Sequence, residues 1–253
     1  MPRPRESSRS RSPLRAVALP PFRELKFVHI TKCAGTALEA WGKERGLVWG
    51  RKWLKPFRDA YAKGLVPPQG GYMKSEPWHL PPCFFTESPY AGFDSFTVVR
   101  DPYGRAISEF RCPWKGFEAP AKASQERRSR RAAATAGQLN AWLQRKLEGG
   151  AARPPFKNGH MVPQHLYLVG FTGERHVPVE NVLRMESLDI GLEALARRYD
   201  LRFGPLERVN ESDMPSFTID DLTEATRRLL EAAYAEDFSL LGYPKLPPRR
   251  STE

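Results

Sequence analysis

Two short stretches carry residue types suited to holding an anion. The first, FVHITKCAGT at residues 27–36, runs from an apolar segment into Lys32, the small pair Ala34-Gly35 and the hydroxyl of Thr36. Small residues let a backbone turn tightly, and the first N–H groups of a following helix point into the turn with no partner of their own. With the helix dipole they attract phosphate-like groups, and Lys32 adds a full positive charge. The order of residues is not that of a standard P-loop, which needs Gly, four residues and then Gly-Lys-Ser/Thr. The second stretch is TVVRDPYGRAISEFR at residues 97–111. Here Arg100 offers a guanidinium fork for phosphate oxygens, and Ser108 a hydroxyl to complete a cradle. Each stretch alone has an ordinary alternative: a solvated Lys in a turn, and an Arg paired with the neighbouring Asp101.

The elements around these stretches must bring them together. Residues 25–30 read as a buried strand, and residues 34–46 as a helix with Leu38 and Trp41 on one face. Residues 70–75 predict a second short strand, and 94–100, rich in β-branched and aromatic residues, a stronger one. Pro102 suits the first turn of a helix over 103–111. Residues 115–131, including the Arg-rich run 122–131, read as a mobile charged loop leading to a helix at 132–148. Strands are expected at 165–171 and 179–186, and helices at 189–201 and 218–238, the last with a Thr218–Asp221 capping pattern. Alternating strands and helices imply parallel βαβ units and an α/β fold. In such sheets ligands bind at the carboxyl ends of the strands, where both anion-binding stretches fall.

Composition limits the function classes. The chain has 253 residues and a formal net charge of +11, which favours anionic partners. Three widely spaced cysteines, Cys33, Cys83 and Cys112, form neither a disulfide framework nor a zinc set, and the five histidines lack metal-ligand spacing. No metal is expected on these grounds. No apolar run approaches the roughly 18 residues that span a bilayer, so no transmembrane segment is expected. Residues 1–21, Arg- and Ser-rich, read as a disordered basic tail, residues 22–246 as one domain, and 247–253 as a C-terminal tail. A cytoplasmic location is the expectation. An organelle address in the N-terminus, or the Golgi lumen if an anchor lies elsewhere, are the alternatives.

Taken in order, HITKCAGT and VVRDPYGRAIS resemble the sulfotransferases that use 3′-phosphoadenosine 5′-phosphosulfate, closest to the carbohydrate (Golgi-type) branch. The resemblance continues through HMVPQHLYL (160–168), VLRMESL (182–188), RVNES (208–212) and YAEDFSLLGY (234–243), covering residues 25–243. It implies a P-loop-like three-layer α/β fold, a central parallel sheet flanked by helices. It also implies that Thr31, Lys32, Ala34, Gly35, Thr36 and Ala37 hold the 5′-phosphosulfate, and that Arg100 and Ser108 hold the 3′-phosphate. Ala37 stands where the family often has a hydroxyl, and Thr31 where it often has Pro.

The reaction implied is in-line sulfuryl transfer to an acceptor hydroxyl, without metal, with Lys32 on the leaving phosphate oxygen. The acceptor is expected to be a carbohydrate, including an anionic polysaccharide contacted by the Arg-rich run; a small alcohol, phenol or lipid is the alternative. A general base is required. His79, in KSEPWHLPPCFF, resembles the catalytic His of the family; a structural His in a Pro-rich turn is the other reading. Glu76 is the second candidate and His160 the third, placed nearer the acceptor. His29 is read as a satisfied core residue, while His165 and His176 have no distinguishing context. Trp78 and Trp114 flank the candidate site as pocket walls. More distant alternatives are a P-loop-class kinase, for which no clear Mg²⁺-holding Asp is seen, and a basic nucleic-acid-binding protein. The Arg runs form no stripe with aromatics, so no nucleic acid is expected.

Overall fold

The computed structural model describes residues 24–55, 76–85, 88–120, 124–154, 156, 159–168, 179–207 and 214–248. The expected strand at 70–75, the N-terminal tail, residues 249–253 of the C-terminal tail, the RVNES stretch, residues 169–171 and His176 lie outside them.

Three strands form a parallel sheet in the order β1 (Leu25–Val28), β2 (Asp94–Val99), β3 (Asn181–Arg184). Phe27 pairs with Phe96, and Val99 with Arg184. Phe27, Phe96, Val98 and Val99 are buried, as β-branched and aromatic residues of a covered parallel sheet should be. The aromatic ring of Phe27 stacks on Phe96 at 5.0 Å. Buried Lys26 is satisfied by Glu24 at 2.6 Å and the Val48 carbonyl at 2.9 Å.

The helices that accompany the sheet include α1 (Gly35–Glu44), α2 (Pro102–Phe110), α3 (Gln125–Ala132), α4 (Ala136–Glu148), α5 (Leu188–Arg198), α6 (Glu224–Ala233) and α7 (Ala235–Leu241). The α/β architecture read from the sequence is therefore the observed one. One continuous core runs through the sheet and the helices, from Phe27 and Leu38 to Leu143, Leu192 and Phe238.

Four local expectations need correction. The Arg-rich run is a helix, α3, whose start is capped by Ser124 accepting from Arg127 N. Arg131 is fully buried and donates to the carbonyls of Arg111, Cys112 and Phe117. A side chain that closes the end of α2 was indistinguishable in sequence from its solvated neighbours. The helix expected from 132 begins at Ala136, behind a capping box of Thr135 and Gln138.

Residues 164–167 form a single 3₁₀ turn rather than a strand. Buried Asp237 accepts from Gln164 N and His165 N, each at 2.8 Å, and these bonds take the place of a strand partner. Finally, the helix expected over 218–238 is broken. The Thr218–Asp221 box caps a 3₁₀ turn, Thr223 caps α6, and the chain breaks at Tyr234 before α7. The Tyr234 hydroxyl donates to Met161 O at 3.0 Å. Such long-range satisfaction of a polar group leaves no periodic trace in the sequence.

Candidate active site

The β1–α1 turn is strained in a way that serves a ligand. Lys32 and Ala34 both have positive φ, 66° and 59°, a left-handed region that non-glycine residues occupy at a cost. Ala34 provides no side-chain cap for α1. The first N–H groups of that helix therefore face the turn without an internal partner. Gly35 is required by a close approach: a Cβ there would lie 1.8 Å from His29 Nε2. Thr36 is exposed and Ala37 half-buried in the first turn. The Thr31 hydroxyl is buried and committed to the carbonyls of Gly159 and His160, at 3.0 and 3.1 Å. It also accepts from Arg105 Nη2 at 3.2 Å.

Parallel pairing of β1 and β2 sets Arg100 beside this turn. Arg100 Nη1 donates to Lys32 O at 3.4 Å. The Arg100 backbone is held from both sides by the Gln164 amide, at 2.9 and 2.8 Å. The next residue, Asp101, donates its N–H to Glu186 Oε1 at 2.8 Å, while its carboxylate caps α2 at Gly104 N, 2.7 Å away. Arg100 Nε lies 3.3 Å from where a Gly104 Cβ would stand. Ser108 follows Gly104 by one turn on α2, so it lies on the same helix face as Gly104, against which Arg100 packs.

Arg111 joins this cluster, a contribution that the sequence reading missed. Burial and then the charge of Arg100 lower its pKa, and its Nε is buried without a hydrogen-bond partner. Two guanidinium groups this close favour an anion between them.

His79 lies near enough to Lys32 to feel its charge. It ends a short turn, Pro77–His79, and its carbonyl accepts from Tyr167 OH at 2.8 Å. Its ring packs edge-on to His29 at 4.9 Å and to His160 at 5.6 Å. Burial, then the His29, His160, Arg51 and Lys32 charges, lower its pKa to about 2. The ring is neutral, and burial and these charges oppose its protonation. Glu76, at the start of the same turn, is exposed.

His29 departs from the expected satisfied core residue. It is buried, yet its Nδ1 lacks a hydrogen bond and lies 3.5 Å from Glu39 Oε1. It is thus a buried residue as expected, with one polar atom unsatisfied. His165 has a partner after all, Asp237 Oδ1 at 2.7 Å from Nδ1. Trp78 is buried, whereas Trp114 is 58% exposed. The arrangement can bind an extended, doubly anionic ligand across the ends of β1 and β2, and present a neutral imidazole beside one end of it.

A family model described as "Sulfotransferase family" matches residues 85–244, more than half of the chain. The match includes Arg100 and Ser108 and begins after His79 and the β1–α1 turn. Searches of curated proteins and of solved structures return no match.

Proposed function

The chain belongs to the sulfotransferase family and is a sulfotransferase that takes its sulfuryl group from 3′-phosphoadenosine 5′-phosphosulfate, and from that premise we propose how its residues carry out the transfer and on what. The observation that carries the reading is the meeting of Arg100 with the Lys32 turn, Nη1 to carbonyl at 3.4 Å. It puts two cationic sites at neighbouring strand ends, one for each end of a nucleotide with phosphates at 3′ and 5′.

In this reading Arg100, Ser108 and Arg111 hold the 3′-phosphate. Lys32 and the N–H groups at Ala34, Gly35, Thr36 and Ala37 hold the phosphosulfate, with the Thr31 backbone alongside. As the sulfur–oxygen bond to the donor breaks, negative charge gathers on the leaving phosphate oxygen, where Lys32 and the α1 N-terminus stabilise it. The transfer step itself calls on no metal. His79 takes the proton from the attacking hydroxyl. Burial and the neighbouring His29 and His160, the first causes of its depressed pKa, persist when the donor binds. The anionic donor offsets the Lys32 and Arg51 charges and raises the basicity of the ring. The exposure of Glu76 favours His79 over it.

The acceptor is a carbohydrate hydroxyl, as in the carbohydrate branch of the family. Exposed Trp114 offers a flat face for a sugar ring, and the exposed Arg128 and Arg130 of α3 suit acidic sugars. Residues 22–246 act as one catalytic domain. No helix among the described residues is long and apolar enough to cross a membrane.

Adenosine 3′,5′-bisphosphate should bind and raise the melting temperature; no shift at millimolar nucleotide sinks the site assignment. Incubation with labelled donor against polysaccharides, small sugars, phenols and lipids then identifies the acceptor class. Label on phenols or lipids alone would replace the carbohydrate reading.

A further inference from the structure

Glu109, Cys112 and His160 gather behind the site, with their ligand atoms all within 4.8 Å of one another. Glu109 and Cys112 lie three residues apart where α2 ends, and both are buried. His160 comes from the segment ahead of the 164–167 turn. Glu109 Oε2 stands 3.0 Å from His160 Nδ1, and Cys112 Sγ stands 4.0 Å from the same nitrogen.

That geometry differs from a hydrogen-bonded relay, in which a base receives its two partners on its two ring nitrogens. Here carboxylate and sulfur converge on one nitrogen, which carries at most one proton and donates to one partner at a time. A cation at the point of convergence satisfies all three groups together. We propose that Glu109, Cys112 and His160 bind one cation of the Zn²⁺ class, which ties the end of α2 to the segment carrying His160 and so fixes the wall beside His79.

Sulfur, imidazole and carboxylate are the donor types that zinc takes, at about 2.0–2.3 Å. Tetrahedral geometry then separates ligand atoms by roughly 3.3–3.7 Å. The observed 3.0 and 4.0 Å lie either side of that range, with all three atoms within 4.8 Å, and rotation of the Cys112 and Glu109 side chains closes the remainder. Two anionic ligands neutralise the ion's charge, which matters with Arg105 close by. Arg105 Nη2 and Thr31 Oγ1 both donate to His160 O, at 3.2 and 3.1 Å, so outer contacts already position the ligand. A small space lined by Arg105, Glu109, His160, Met161 and Tyr234 borders two of the three ligands. Binding releases the thiol proton of Cys112, and any proton on His160 Nδ1, to solvent. No electrons are transferred.

The test uses the full chain, stripped with chelator and titrated with Co²⁺, whose thiolate complexes absorb in the near ultraviolet. One equivalent should bind with that band. Cys112→Ser should abolish the band, and Glu109→Gln or His160→Gln should weaken binding about tenfold or more. Cys33→Ser and Cys83→Ser should leave it unchanged. Zinc should raise the melting temperature of the wild type and leave that of Cys112→Ser unmoved. Absence of the band in the wild type at saturating cobalt overturns the proposal, whatever the variants do. Persistence of the same band in Cys112→Ser overturns it as well. Binding of adenosine 3′,5′-bisphosphate reports independently that each protein is folded.

Discussion

The side-chain amide of Gln164 grips the backbone of Arg100 from both sides, accepting from its N–H at 2.9 Å and donating to its carbonyl at 2.8 Å. Gln164 is itself fully buried, with its own N–H bonded to Asp237. The segment 160–168 and the C-terminal helix α7 thereby fix the point at which β2 delivers its Arg. A guanidinium placed in this way needs little ordering when an anion arrives.

Gln164→Ala removes both bonds and leaves two backbone groups of Arg100 short of partners. Stability should fall by about 2–4 kcal/mol, measured by urea denaturation. Nucleotide affinity should fall about tenfold in the protein that remains folded. Gln164→Glu, which keeps the acceptor oxygen, should lie between. A stability loss with unchanged affinity would show that the clamp does not position Arg100.

Gly35→Ala should be poorly tolerated, because the new Cβ meets the His29 ring at 1.8 Å. His29→Ala in the same chain should restore much of the lost stability, giving strong coupling in a double-mutant cycle. Independent effects of the two changes would contradict the packing of this turn.

Arg111→Met should raise the stability of the free protein, since it removes a half-buried guanidinium whose shielded Nε has no hydrogen bond. The same change should weaken binding of adenosine 3′,5′-bisphosphate, while Arg100→Ala should eliminate it. Unaltered affinity in Arg111→Met would remove Arg111 from the 3′-phosphate site.

His79→Ala should spare nucleotide binding and lower turnover by about 10²–10⁴-fold. In the free protein the ring's pKa is held near 2 by burial and by the neighbouring His29, His160, Arg51 and Lys32 charges. The unfolded chain binds the proton more readily, so stability from this group is full above about pH 6.5. It is lost progressively as pH falls from there toward 2. Nuclear magnetic resonance titration should show the His79 pKa rising when nucleotide binds. A pKa that stays put would mean the anion does not tune the base.

The sequence by itself determined the local chemistry: strand β1 with its Lys32–Gly35 turn, strand β2 ending at Arg100, Pro102 in the first turn of α2, and hence the α/β class. These features rest on neighbours within a few residues, where periodicity, turn residues and caps are legible. Tertiary structure decided what those residues meet. It brought Gln164 to Arg100 across 64 positions, made Arg131 a buried closure of α2 inside an Arg run, and left buried His29 with its Nδ1 short of a hydrogen bond. It also carried His160 to Glu109 across 51 positions, a grouping that the scattered cysteines and histidines concealed. Each is a directed contact between distant side chains, and such contacts are selected by shape and polar satisfaction in the packed state, which leaves no period along the chain.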